Sequence, residues 1–101
     1  MKKAYWIVQV DMTQPEAFAA YVAANGEALA RYGARFLARA GEHCVVEGRA
    51  RARNTIVEFP SYQAALDCWH DAAYQAARQL RHGAALMDVV IVQGYDGPQP
   101  A

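Results

Sequence analysis

Two side chains in this sequence carry groups that proteins commonly use for proton transfer, a carboxylate at Glu58 and an imidazole at His70. Glu58 lies in a short apolar run, where a carboxylate without a partner is costly to ionise. It is therefore a candidate acid or base in a pocket. The alternative is a structural ion pair. The candidate partners for that pair are Arg39, Arg53 and Arg78.

His70 precedes Asp71, at a point where the helical pattern of apolar residues is interrupted. An imidazole titrates near neutral pH, so His70 is a second candidate for proton transfer. The alternative is a histidine that is partly buried or lies at the surface.

Five further residues are candidate ligand contacts. Asn25 lies on the apolar face of the first predicted helix, where it orients a ligand or is a satisfied core amide. Arg39 and Arg78 are candidates for gripping a carboxylate, with a structural salt bridge as the alternative. Trp69 and Tyr74 are candidate walls of a pocket for a flat apolar ligand, and core packing is their alternative.

Composition excludes several classes of protein. The chain has 101 residues with ten basic and ten acidic side chains, so its formal charge is zero, which argues against a nucleic-acid binder. No apolar run approaches the roughly 18 residues of a membrane span. Cys44 and Cys68 form no disulfide framework, which predicts reduced thiols and a cytoplasmic protein. No metal-ligand spacing or nucleotide motif is present, so we expect no metal and no cofactor.

Hydrophobic periodicity predicts the elements that position these residues. Two helices are expected, one from Thr13 to about Tyr32 and one from Ser61 to Gly83 with a break at His70-Asp71. The second strand is expected to be long and kinked near Gly41. The predicted strands are Ala4–Val10, Arg35–Glu47, Thr55–Phe59 and Met87–Gln93.

This order, βαββαβ, predicts an α+β fold of the ferredoxin-like split βαβ type. Its four-stranded antiparallel sheet has strands one and three in the centre and two helices on one face. We expect a single domain over residues 1–101, with a flexible tail from about residue 95.

The strands carry apolar residues on both faces. Tyr5 and Ile7 alternate with Trp6 and Val8, and the last strand has valines and an isoleucine at consecutive positions. Helices cover one face, and an exposed apolar face on a small protein usually marks an interface. The pattern therefore predicts a homodimer that packs sheet to sheet.

Several stretches of the chain match a known family. The most specific is the strand-to-helix junction Ile56–Tyr62, and the matching stretches extend from Tyr5 to Gly94. The others are Arg39-Ala40-Gly41, Val46-Glu47-Gly48, Ala64-Ala65, Trp69-His70-Asp71, Tyr74-Gln75-Ala76, Arg78 and Asp88–Gly94. In these stretches the chain resembles the domain-of-unknown-function 1330 family. The resemblance implies the dimeric α+β barrel fold and a homodimer, and it implies no reaction.

Three functions remain open. The first is binding of a small apolar or aromatic organic acid, with an arginine on the carboxylate. The second is a cofactor-independent isomerase or monooxygenase, in which Glu58 or His70 moves a proton; enzymes of both kinds occur in families of similar fold. The third is a structural or interaction dimer without a ligand, which an interior without a cavity would favour.

Overall fold

Seven elements follow one another along residues 1–100, the part of the chain that the computed structural model describes. They are β1 (Ala4–Met12), α1 (Pro15–Arg31), β2 (Arg35–Arg39), β3 (Arg53–Phe59), α2 (Tyr62–His70), α3 (Ala72–Gln79) and β4 (Ala85–Gln93). The strands form one antiparallel sheet in the order β2-β3-β1-β4. The predicted α+β fold with β1 and β3 in the centre is confirmed. Ala101, the end of the predicted tail, lies outside the described residues.

The second predicted helix is two helices, so the expected number of two is corrected to three. α2 ends at His70, and the Asp71 carboxylate accepts hydrogen bonds from the backbone N–H groups of Ala73 at 2.8 Å and Tyr74 at 3.2 Å. Aspartate at this position satisfies the free donors at the start of a helix. Asp71 therefore ends one helix and begins the next.

The expected long second strand is wrong. β2 ends at Arg39, and the bulge in it lies between Phe36 and Ala38, not at Gly41. Ala40 has a φ of 50°, a left-handed conformation that turns the chain away from β3 after its N–H has bonded Asn54. Residues 41–46 consequently pair with no strand among the described residues.

The start of α1 also differs from expectation. Gln14 stands at the N-cap position without a side-chain hydrogen bond, and Pro15 occupies the first turn. The Thr13 hydroxyl instead donates to the Gly83 carbonyl at 3.4 Å, because the backbone N–H groups of Thr13 and Gln14 are held by Ala84 beside β4. Gln14, and not Thr13, is therefore the N-cap residue of α1.

The core lies between the helices and one face of the sheet. Trp6 is at its centre, with ring centroids 5.0 Å from Phe59 and 5.1 Å from Tyr74. The indole N–H of Trp6 donates to the Ala65 carbonyl at 3.1 Å, which satisfies its one polar group. Alternation along β1 also buries Val8 and Val10 on this face.

The opposite face of the sheet, here called the open face, is covered by none of the three helices described above. The strand register places Ile7 of β1 between Ile56 of β3 and Val90 of β4. Val90 is 59% exposed, and Val92 beside it is also exposed. Large apolar side chains thus remain accessible across the centre of the sheet. No helix within residues 1–100 is long and apolar enough to cross a membrane.

Candidate functional site

A cavity of about 630 Å³ lies between α1 and the helix-covered face of the sheet. Its volume falls in the usual range for small-molecule sites, roughly 300–1,000 Å³. The walls are mainly apolar, and the floor comes from alternate residues of β1 and its neighbouring strands. Characteristic wall residues are Trp6, Val8, Val10, Phe18, Val57 and Val89.

Two arginines line the cavity from adjacent strands. Arg39 is paired across the strands with Thr55, two residues from Arg53, so the two arginines are diagonal neighbours on the same face. The Arg39 guanidinium lies 4.1 Å from the Phe36 ring centroid, and Arg53 donates to the Met12 sulfur at 3.6 Å. Within residues 1–100 neither forms a salt bridge. Their positive charge is therefore available to an anion.

Asn25 enters the cavity from α1 and is only 8% exposed. Its side-chain amide carries two N–H donors and a carbonyl acceptor. A buried amide normally has a partner. Asn25 can therefore donate to or accept from a bound molecule.

A polar cluster of Tyr21, Tyr74 and Arg81 lies toward the other end of the cavity. The Tyr21 and Tyr74 hydroxyls are 2.8 Å apart and share a hydrogen bond, and both residues line the cavity. Arg81 is 9% exposed, and its guanidinium lies 5.0 Å from the Tyr21 ring centroid. Burial, more than the neighbouring Tyr21, raises the pKa of Tyr74, and Arg81 acts against that rise. Tyr74 is thus a protonated phenol at neutral pH.

The structure brings three of the predicted ligand contacts together: Asn25, Arg39 and Tyr74 all line the cavity. It separates the other two. Trp69 lines a smaller pocket beside β4, and the Arg78 guanidinium lies 5.2 Å from the Trp69 ring centroid and bonds Gln75. α2 and α3 place this pair away from the main cavity.

Glu58 and His70 both lie outside the cavity. Glu58 is on the open face, where Lys3 donates to its Oε1 at 3.0 Å and leaves the side chain 14% exposed. The ion-pair alternative thus matches the structure, with a lysine instead of an arginine, because the register sets Glu58 opposite Tyr5, two residues after Lys3. His70 is the exposed last residue of α2. Proton transfer by either side chain stays a prediction, at a place other than this cavity.

Sequence reasoning missed Tyr21 and Arg81 and gave Arg53 no place in a pocket. Tyr21 follows Phe18 by three residues and precedes Asn25 by four, which is the spacing of one helical face. That signal was present in the sequence. Arg53 falls between the second and third predicted strands, whereas it is the first residue of β3. Its side chain therefore lies on the same face as Val57.

Neither cysteine lines the cavity. Burial raises the pKa of the Cys68 thiol to about 12, which keeps it protonated, and Cys44 is exposed on another part of the chain. Among the described residues, no group of three or more histidine, cysteine or acidic side chains is arranged to hold a metal ion.

Solved structures of other proteins share this architecture. RPA0582, a protein of unknown function from Rhodopseudomonas palustris, is 19% identical with a TM-score of 0.75, over 95% of this chain and 85% of its own. Its methylated form has a TM-score of 0.77 at 18% identity, over 97% and 84%. SnoaB, a cofactor-independent oxygenase from Streptomyces nogalater, has a TM-score of 0.61 at 9% identity, over 99% and 97%. The fold is therefore that of the dimeric α+β barrel proteins.

Within that class the family is also defined. Residues 3–95 match the family described as "Domain of unknown function (DUF1330)", and the chain belongs to it. No curated protein matches the chain.

Proposed function

We propose that this protein binds a small aromatic or apolar organic acid in the cavity between α1 and the sheet. The observation that carries the proposal is the pairing of an apolar cavity with two arginines that have no salt bridge within residues 1–100. A guanidinium binds a carboxylate through two parallel hydrogen bonds, which are stronger than those between neutral groups. Arg39, stacked on Phe36, keeps its N–H edge free for such a pair.

The positions of the polar groups indicate the length of the ligand. The arginines lie beside Val10, which pairs with Arg53, and the tyrosine pair lies beside Trp6. Four residues along a strand span roughly 13 Å. A bicyclic aromatic acid with a second polar group at its far end fits this spacing. Asn25 supplies a hydrogen bond between the two ends.

The residues that line the cavity favour binding over proton transfer. The lining contributed by residues 1–100 contains no aspartate, glutamate, histidine or cysteine, and the Tyr74 phenol is protonated at neutral pH. An isomerase needs a base within hydrogen-bond reach of its substrate. A purely structural role predicts a filled interior, and the cavity argues against it.

The test uses 2-naphthoate and its uncharged analogue 2-naphthamide as probes, with binding followed by calorimetry. We expect naphthoate to bind and the amide to bind at least tenfold more weakly. Arg39→Ala or Arg53→Ala should weaken naphthoate binding at least tenfold and leave the amide unchanged. Arg35→Ala is the matched control, because Arg35 is on the same strand and faces Glu58 on the open side. Equal binding of acid and amide would refute the proposal.

A homodimer through the open face is part of the proposed function. Ile7, Ile56, Val90 and Val92 leave an accessible apolar surface across the middle of the sheet, and the fold is shared with dimeric α+β barrels. A two-fold axis would pair this surface with itself. Because the cavity is on the other side of the sheet, each subunit would keep its own binding site.

Oxygenation without a cofactor is a second candidate function, favoured by the fold that the chain shares with SnoaB. Since the lining contributed by the described residues has no base, the substrate would have to enter already as an anion held by Arg39 and Arg53. Oxygen uptake with 1,4-dihydroxy-2-naphthoate as substrate tests this candidate. Uptake above the uncatalysed rate, lost in Arg53→Ala and retained in Arg35→Ala, would support it. Oxygen uptake at the uncatalysed rate would exclude oxygenation of this substrate, and ligand binding would remain as the proposed function.

A further inference from the structure

The polar cluster of Tyr21, Tyr74 and Arg81 contains a buried positive charge without a counterion in the described part of the chain. Arg81 is only 9% exposed, and it forms no salt bridge within residues 1–100. Its Nε is buried and has no hydrogen-bond partner among these residues. A buried arginine is normally paired with an acid, because an unpaired charge loses its hydration without compensation. The cluster therefore favours the approach of a negatively charged group.

The tyrosine pair connects this charge to the cavity. Tyr21 and Tyr74 both line the cavity, and the Arg81 guanidinium lies 5.0 Å from the Tyr21 ring centroid. Burial raises the pKa of Tyr74 and Arg81 opposes that rise, so the charge of Arg81 acts on the Tyr74 oxygen. Charges interact strongly over such distances where water is excluded. A ligand that touches the two tyrosines consequently lies within the field of Arg81.

The hydroxyl pair can also donate a hydrogen bond to a ligand. The Tyr21 and Tyr74 oxygens, 2.8 Å apart, share one hydrogen bond, which uses one of the two O–H protons of the pair. The hydroxyl that accepts this bond keeps its own proton and can donate it to another acceptor. A hydrogen bond to an anionic oxygen is roughly twice as strong as one to a neutral acceptor. The pair is therefore a suitable donor for an oxygen anion.

The polar cluster and the proposed carboxylate site belong to different parts of the cavity wall. Arg39 and Arg53 are on β2 and β3, whereas Tyr21 is on α1 and Tyr74 is on α3. One bound molecule can therefore contact the arginines with one end and the tyrosines with the other. The lining contributed by residues 1–100 contains no aspartate or glutamate that would repel a second negative charge.

We infer that the polar cluster is a second anion subsite, which takes an anionic oxygen at the end of the ligand remote from the carboxylate on Arg39 and Arg53. The inference rests on the proposed function and narrows its ligand to an aromatic acid with a second acidic group. A phenolate and a second carboxylate share this chemistry. Tyr21 and Tyr74 contact the oxygen, and Arg81 acts through them as a positioning residue whose charge favours the anion.

Three probes test the subsite by calorimetry at pH 7.5: 2-naphthoate, 6-hydroxy-2-naphthoate and naphthalene-2,6-dicarboxylate. We expect at least one of the two probes with a second acidic group to bind at least tenfold more tightly than 2-naphthoate. Tighter binding of the dicarboxylate identifies a second carboxylate as the preferred group. Tighter binding of the hydroxy acid, with the absorbance of its phenol shifted to the longer wavelength of the phenolate, identifies a phenolate. If neither probe binds more tightly than 2-naphthoate, the inference is wrong.

Variants of the polar cluster test whether it causes this preference. Arg81→Met and the double variant Tyr21→Phe/Tyr74→Phe should each reduce the preference to less than threefold and leave the affinity for 2-naphthoate unchanged. Arg81→Lys should retain most of it, because the positive charge remains. Arg35→Met is the control, since it removes the same charge from the open face. Binding of 2-naphthoate shows that a variant is folded, and the double variant decides the question if Arg81→Met does not fold. A preference that persists in the folded variants would overturn the inference.

The affinity for 2-naphthoate separates failure of the subsite from failure of the proposed function. If Arg39→Ala and Arg53→Ala weaken 2-naphthoate binding and a second acidic group adds no affinity, the proposed function stands and the subsite is excluded. If Arg81→Met weakens 2-naphthoate binding and the other two variants do not, the cluster is an anion site, and the roles proposed for Arg39 and Arg53 are wrong. No binding of any of the three probes would overturn both.

Discussion

The hydroxyl groups of Tyr21 and Tyr74 depend on each other for a hydrogen bond. Both side chains are buried, and the two groups satisfy each other at 2.8 Å. Arg81 lies against Tyr21, and its buried Nε has no hydrogen-bond partner among residues 1–100. A buried polar group that loses its one partner is left with an uncompensated loss of solvation.

Tyr74→Phe is therefore expected to lower the free energy of unfolding by about 1–3 kcal/mol, because the Tyr21 hydroxyl loses its partner. Tyr21→Phe should act similarly on the Tyr74 hydroxyl. The double variant should lose less than the sum of the two single variants, since it leaves neither hydroxyl unpaired. Urea unfolding of all four proteins measures this coupling. Strictly additive losses would show that the pair is energetically independent.

At the scale of elements, the junction of α2 and α3 depends on one carboxylate. The Asp71 side chain accepts from the Tyr32 hydroxyl at 2.7 Å and from Arg31 at 3.1 Å, besides capping α3. The Tyr32 hydrogen bond, with further help from the capped N–H groups, lowers the pKa of Asp71 below its ordinary value of 3.8. One side chain thus fixes α1 to the start of α3.

The lowered pKa gives this junction a defined pH dependence. A carboxylate with a lower pKa in the folded state contributes stability above its unfolded pKa, and that stability is lost as the pH falls through the folded value. We expect the melting temperature to fall between about pH 5 and pH 2. Asp71→Asn, which can still cap a helix, should melt lower at pH 7 and show a shallower fall. Asp67→Asn, at an exposed position of α2, is the control. An unchanged slope in Asp71→Asn would contradict this role.

Patterns that repeat along an element were readable from the sequence. The alternation of β1, the four-residue spacing of α1 and the break at Asp71 all have counterparts in the structure. The end of β2 could not be predicted from the sequence. Alanine rarely adopts a positive φ, so the residue type at Ala40 gives no signal of a turn. Of the predicted ligand contacts, Asn25, Arg39 and Tyr74 line the cavity, and their role as contacts stays a prediction. The position of Arg53 depended on where β3 begins.

The positions of Trp69 and Arg78, the two predicted ligand contacts outside the main cavity, also have a local cause. The break after His70 changes the direction of the chain, so Trp69 and Arg78 meet each other beside β4 instead of the main cavity. For Glu58, one residue of register decides between the two faces of the sheet. The sequence alone specifies that alternation and leaves open which of the two sets the helices cover.

At the scale of the whole molecule, the two faces of the sheet have different surroundings. One face lines the cavity, and the other presents Ile7, Ile56 and Val90 to solvent in the single chain. Val90→Lys should convert the expected dimer to a monomer, because a charge on an apolar contact loses its hydration on assembly. Leu80→Lys, at an exposed position next to α3, should leave the mass unchanged. Light scattering measures the molar mass of both variants. A dimeric Val90→Lys variant would exclude the open face as the interface.

Alternation along β1 has an evolutionary consequence. Neighbouring residues of this strand belong to different surfaces, since Val8 lines the cavity while Ile7 and Gln9 lie on the other face of the sheet. Selection on one set need not disturb the other. Under the proposed function, a lineage with this fold can diversify in the ligand that the cavity holds while the open face stays unchanged. A library that varies only Val8, Val10, Val57, Met87 and Val89 would then test new specificities on a constant scaffold.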